Sequence, residues 1–172
     1  TGCENVAVGT EAMFTGTTAC RSVAFGYKAL RSVQTGTNNV GVGFCSLNAI
    51  TTGAANTAVG DIALLSTTTA SSNTAVGFCA LHKNTTGADN TSVGTAALSE
   101  NLTGAGNTAV GRSALQNSTT DNNTAFGKEA LNKTTSGDAN TAVGTNAGAC
   151  NTTGKNNIAI GTNAFPTNTT GC

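Results

Sequence analysis

The 172-residue chain has 9% charged residues, a formal net charge of zero, 4% aromatic residues, one Tyr and no Trp, against 22 Gly and six Cys. Its eight Lys and Arg form no basic patch that could neutralise phosphates, so nucleic acid is not an expected partner. No apolar run approaches the roughly eighteen residues of a spanning helix and no signal-peptide pattern stands at Thr1, so neither membrane insertion nor a targeting segment is expected.

A glycine recurs along the chain. Gly9, Gly26, Gly43, Gly60, Gly77, Gly94 and Gly111 are each 17 residues apart, the next step to Gly127 is 16, and the period of 17 resumes at Gly144 and Gly161. A short repeat at fixed period marks a solenoid in which each unit is one coil stacked on the last. Composition is uniform, without linker or charge run, so residues 1–172 read as a single domain. The chain begins and ends within a repeat, as a processed or excised chain would.

Each unit opens on a strand. The four residues before the anchor are mostly Asn-Thr-Ala-Val, as at Asn56-Thr57-Ala58-Val59 and Asn107-Thr108-Ala109-Val110. The residue before the anchor is always Val, Phe or Ile, and the one three before is Val, Thr or Ile. These types favour strands, and alternation puts both positions on one face, expected to be the core. The residue between them is always tiny. Ala58, Ala75, Ala109, Ala125 and Ala142 would then form an outward column, expected to be a self-association face, unless small residues merely suit a tight roll.

Two variable positions follow the anchor and hold much of the charge, as in Tyr27-Lys28 and Lys128-Glu129; they are expected in solvent. Next comes Ala-Leu, as at Ala63-Leu64 and Ala97-Leu98, a second core row predicted to be a second short strand. Asn/Thr/Gly stretches such as Asn84-Thr85-Thr86-Gly87 close the unit with turn chemistry. Asn stands four before the anchor in nine of ten units, with Ser22 the exception, and predicts an amide ladder along the axis. The expected fold is all-β, a parallel β-solenoid or β-roll of about ten coils at roughly 4.8 Å per coil.

The cysteines have phases. Cys3, Cys20 and Cys172 share one column; Cys3 and Cys20 fall on adjacent coils, while Cys172 would approach Cys3 of a second copy if rods stacked end to end. Cys45 and Cys79 share another column two coils apart, about 10 Å and too far for an intrachain bond. Cys150 has no partner in phase. Six Cys in such a chain suggest disulfides and an oxidising compartment.

No arrangement for catalysis, no metal-ligand spacing and no cofactor motif is visible, and the single His82 lies in a variable stretch, so an enzyme is not expected. Tyr27, Phe44 and Phe78 share one exposed column or its neighbour and are the candidates for surface contact. Among the Asn-x-Ser/Thr acceptors, Asn84, Asn101, Asn117, Asn151 and Asn168 could carry glycans in a eukaryotic or eukaryotic-virus setting, although Asn and Thr are also ordinary turn residues.

The phrase Asn-Thr-Ala-Val-Gly-x-x-Ala-Leu…Asn-Thr-Thr-Gly, carried for example by Thr74-Ala75-Val76-Gly77 and Thr108-Ala109-Val110-Gly111, covers essentially the whole chain. It resembles the YadA-like head repeats of trimeric autotransporter adhesins and the related repeat arrays of phage and bacterial fibres. The resemblance implies a left-handed parallel β-roll, commonly trimeric, displayed outside the cell or on a virion for attachment.

The expected function is therefore structural: an extracellular self-assembling fibre or filament subunit, or an adhesin-like attachment segment on a cell or virion surface. Its expected partner is itself, as a homotrimer or an end-to-end polymer, with a host surface or glycan as a further candidate. The alternatives are an ice-binding β-solenoid and a glycan-binding adhesin head. For ice, the Thr three before the anchor counts as a poor candidate, because Val and Ile replace it in the end coils and imply burial. The Thr-Thr pair before the turn glycine is better placed but is interrupted at Leu102 and at Ala49-Ile50.

Overall fold

A computed structural model describes residues 2–165, 167 and 169–171. Ten strands of three residues follow one another: β1 (Val6–Val8), β2 (Val23–Phe25), β3 (Val40–Val42), β4 (Thr57–Val59), β5 (Thr74–Val76), β6 (Thr91–Val93), β7 (Thr108–Val110), β8 (Thr124–Phe126), β9 (Thr141–Val143) and β10 (Ile158–Ile160). Each pairs in parallel with its neighbours in chain order, in one ten-stranded sheet. Register follows phase, so Thr57 pairs Thr74, Ala58 pairs Ala75 and Val59 pairs Val76. The chain is a β-solenoid of stacked coils of about 17 residues.

The anchor glycine ends each strand for a steric reason. Gly77 sits at φ 134°, and a Cβ there would lie 2.8 Å from the carbonyl carbon and oxygen of Gly94 on the next coil. Coils approach so closely at this corner that any side chain would collide with backbone.

The core is inverted relative to the expectation. Ala24, Ala58, Ala75, Ala109, Ala125 and Ala142 are fully buried, whereas Val59, Val76, Phe126 and Val143 are exposed. The tiny residues therefore point inward, and the Ala column is not a self-association face. The interior explains why: a Cβ added at Gly41 would meet Ser46 Oγ at 3.0 Å and Leu30 Cδ1 at 3.4 Å. Two thin walls share one narrow space, which admits a methyl but not a Val.

The opposite wall holds the expected Leu row, with Leu30, Leu47, Leu64, Leu81, Leu98, Leu115 and Leu131 buried. It is not a second strand. Lys28 and Leu30 lie in the left-handed region at φ 55° and 51°, and the same alternation recurs at Cys45 and Leu47, Ile62 and Leu64, and Cys79 and Leu81. Alternate amides still bond alternate coils: Lys28 N–H donates to Thr10 C=O at 2.9 Å and Leu30 N–H to Ser46 C=O at 3.0 Å. The inter-coil ladder thus runs on through a curled backbone that strand propensity does not describe.

The Asn ladder forms as expected. Asn56 N–H and Nδ2 both donate to Asn39 Oδ1, at 3.0 and 3.1 Å, and Nδ2 also donates to Ala70 C=O at 2.9 Å. Ser22 keeps the acceptor, since Asn39 N–H donates to its Oγ at 3.2 Å. The 16-residue step is absorbed in the turn, where Thr119 alone separates Ser118 from Thr120 while other coils carry two residues, as at Thr85-Thr86. Strand and core row stay in register across it: Thr108 pairs Thr124, and Leu115 N–H donates to Ala130 C=O at 3.0 Å.

Candidate functional site

With the Ala column inside, alternation sends the flanking strand positions outward. The outer sheet face carries two straight columns. One is Val8, Phe25, Val42, Val59, Val76, Val93, Val110, Phe126, Val143 and Ile160; the other has Thr at six consecutive coils from Thr57 to Thr141, flanked by Val and Ile. Phe25 is 55% exposed and Val59 37%, against 0% for Ala58 between the columns' planes. Among the described residues no strand position carries a charge. Ten strands about 4.8 Å apart and three residues of about 3.3 Å make this a face of roughly 450 Å². A face of that extent matches the largest apolar patch of an ordinary monomer, a patch that is often functional.

Sequence reasoning assigned these columns to the core and missed them as a surface. A signal was present: one column exchanges Val for Phe from coil to coil, a volume change that a narrow packed interior could not absorb, whereas the Ala column admits only Gly and Ser. The outward Thr column also removes the argument that its Val and Ile replacements imply burial, because Val6 and Ile158 are exposed.

One corner of this face continues into aromatics. Tyr27 and Phe44 are exposed and stack, with ring centroids 5.3 Å apart and planes at 15°. Lys28 Nζ lies 4.8 Å from the Tyr27 centroid. Phe78 is exposed in the same column, but two coils beyond Phe44 with Asp61 between them. Charges elsewhere pair between coils, as in Arg31 to Glu11 at 2.7 Å and Arg112 to Glu129 at 2.7 Å. The Arg31 hydrogen bond holds the Glu11 carboxyl below its ordinary value.

The cysteines divide as their phases require. Cys3 and Cys20 come together with Sγ atoms 2.7 Å apart. Cys45 and Cys79 are half-buried on coils separated by the Ile62 coil, and burial pushes both thiols up. Cys150 is half-buried, and Cys172 lies outside the described residues. No disulfide joins the described cysteines.

The turn asparagines are corrected. Asn84, Asn101 and Asn151 are buried, and their Nδ2 atoms donate to Gly87, Gly104 and Gly154 C=O at 2.9, 2.9 and 3.0 Å. A glycan on Nδ2 would have to occupy the space of the coil's own turn, so the folded solenoid is incompatible with glycosylation there. Asn117 is half-buried with Nδ2 bonded to Asn132 C=O at 2.8 Å, and Asn168 lies outside the described residues.

Among the described residues no pocket opens, no cluster of three or more His, Cys, Asp or Glu could hold a metal ion, and no helix is long and apolar enough to cross a membrane. No known family model, curated protein or solved structure matches the chain.

Proposed function

We propose that this chain is a structural protein, a segment of an extracellular fibre or attachment structure on a cell or virion surface, whose copies associate through the outer sheet face. The observation that supports this reading is the uncharged double column of Val, Phe, Ile and Thr running along all ten strands. A second copy suits the face better than a foreign partner for two reasons. It brings the same coil spacing, so side-chain columns stay in register along the whole length. It also brings no charge, so nothing is repelled or left unpaired.

A homotrimer is the arrangement we favour, in line with the resemblance to trimeric adhesin heads and fibre arrays. A face of roughly 450 Å² buried once gives only about 900 Å² in total, below the roughly 1,200 Å² at which stable interfaces begin. In a threefold bundle each chain meets two neighbours and the flanking columns are buried as well. In an attachment role, the Tyr27 and Phe44 stack is where contact with a host surface or glycan would fall.

Solution mass tests this. Light scattering should give about 50 kDa, three times the 16.8 kDa of one chain. An open series of larger multiples would replace the trimer by an end-to-end polymer, and a monomer would overturn self-association.

A second reading is favoured by one observation: Thr57, Thr74, Thr91, Thr108, Thr124 and Thr141 form a regular outward column beside the Val column. Such a flat Thr and Val face is suited to ordering water as an ice-binding solenoid. It requires the face to be free, so a monomer with thermal hysteresis that Thr91→Lys abolishes would establish this alternative.

A further inference from the structure

β1 pairs with β2 alone, and Val6, Ala7 and Val8 are all exposed, whereas the middle residue of each of β2 to β10 is buried. Hydrogen bonds between the first two coils gather next to the strand: Arg21 N–H donates to Cys3 C=O at 2.9 Å, Asn5 Nδ2 to Ala19 C=O at 2.7 Å, and Ser22 N–H to Asn5 Oδ1 at 2.9 Å. These bonds place Cys3 directly beside Cys20. Cys3 N–H points to Cys20 Sγ at 3.3 Å, and the two Sγ atoms are 2.7 Å apart. Cys3 is exposed and Cys20 half-buried, so a soluble reagent reaches the pair.

We propose that Cys3 and Cys20 are a disulfide-forming pair that staples the first coil to the second, with a small-molecule disulfide such as oxidised glutathione as the oxidant. The Cys20 thiolate attacks one sulfur of the reagent; a mixed disulfide forms and one glutathione thiolate leaves. Cys3 then loses its proton and attacks Cys20 Sγ, the Cys3–Cys20 bond forms, and the second glutathione thiolate leaves. The two protons lost by the protein thiols end on the two glutathiones, and the two electrons given up by the protein reduce the reagent. Order within the pair follows from the contacts. The Cys3 thiol and amide both donate to Cys20 sulfur and hold its thiol below the ordinary value, while donating to Cys20 raises Cys3. Cys20 is therefore the group that attacks first. Once closed, the bond leaves no Cys3 thiol to join Cys172 of another copy, so any end-to-end contact is non-covalent at this position.

Peptide mapping of the wild-type chain tests the assignment. The protein is equilibrated with oxidised glutathione, quenched in acid, alkylated, and digested with trypsin and a protease that cleaves after Glu. Cuts after Glu4, Glu11 and Arg21 separate the two cysteines. The expected product is peptide 1–4 joined to peptide 12–21, about 2 Da lighter than the two free thiols together and released by reductant. Independent alkylation of Cys3 and Cys20, or Cys3 joined to any other cysteine, would overturn the proposal. Hydrogen exchange reads the staple itself: the Val6 amide, bonded to Ser22 C=O at 2.9 Å, should exchange at least tenfold more slowly in the oxidised wild type than in the reduced protein. Equal rates would show that the bond does not hold the coil.

Discussion

At the residue scale, the interior is tuned to single methyl groups. Position by position, the inward strand residue faces the first residue of the Ala-Leu pair on the opposite wall. Where the strand has Gly41, the wall has Ser46 in place of Ala, and the two differences offset each other in volume. Ser92 adds a hydroxyl on the strand with the usual Ala97 opposite, and satisfies it by donating to Ala97 C=O at 2.8 Å. Gly41→Ala should overpack against Ser46 Oγ and cost about 1–3 kcal/mol. Adding Ser46→Ala should recover the loss, because a paired Ala and Ala is what other coils contain and Ala in place of Gly also lowers the entropy of the unfolded chain. Thermal unfolding of the single and double variants decides it; a double variant no better than Gly41→Ala would refute the facing-wall account.

At the element scale, the strands are too short to order themselves, and the Asn ladder supplies what three residues cannot. Asn90 donates to Gly104 C=O at 2.8 Å, and its Oδ1 accepts from both Asn107 N–H at 2.9 Å and Asn107 Nδ2 at 3.1 Å. Asn90→Ala strands a buried carbonyl and a buried amide, which together should cost roughly 2–5 kcal/mol. Asn90→Ser should cost less, since Ser22 shows that a hydroxyl at this phase still accepts the next coil's amide. Denaturant unfolding should rank wild type above Ser above Ala, and equal losses for Ser and Ala would deny the ladder its role as backbone acceptor. This ladder was legible in the sequence, because an amide at fixed phase in nine of ten units has few other uses. The Leu row was legible as core but not as backbone. Spacing alone cannot distinguish an extended residue from one at φ near 50° when both present the same side chain to the same interior.

At the scale of the whole molecule, the solenoid is a rod whose buried width is set by small residues, with the strand columns of Val, Phe, Ile and Thr lying outside. Val76 and Val93 sit at the middle of that surface, on neighbouring strands. For the trimer proposed above, Val76→Lys with Val93→Lys should give the 16.8 kDa monomer in place of about 50 kDa. Far-ultraviolet circular dichroism should stay unchanged, because neither side chain enters the core. Loss of the fold itself would mean the column is structural, and an intact trimer would move the interface elsewhere.

The sequence by itself determined the period, the glycine corner, the Asn ladder, the Leu wall and the column that joins Cys3 to Cys20. Each of these depends on a chemistry repeated at fixed phase, and stacking in register is the one arrangement that satisfies every copy at once. Only the tertiary structure decided which face of the strand is inside. A period of two is symmetric between its faces, and the rule that larger apolar residues lie inward fails when two walls close to within a methyl of each other. That same closure turned Val and Thr outward, buried the amides of Asn84, Asn101 and Asn151, and so moved the candidate interface from the Ala column to the columns on either side of it.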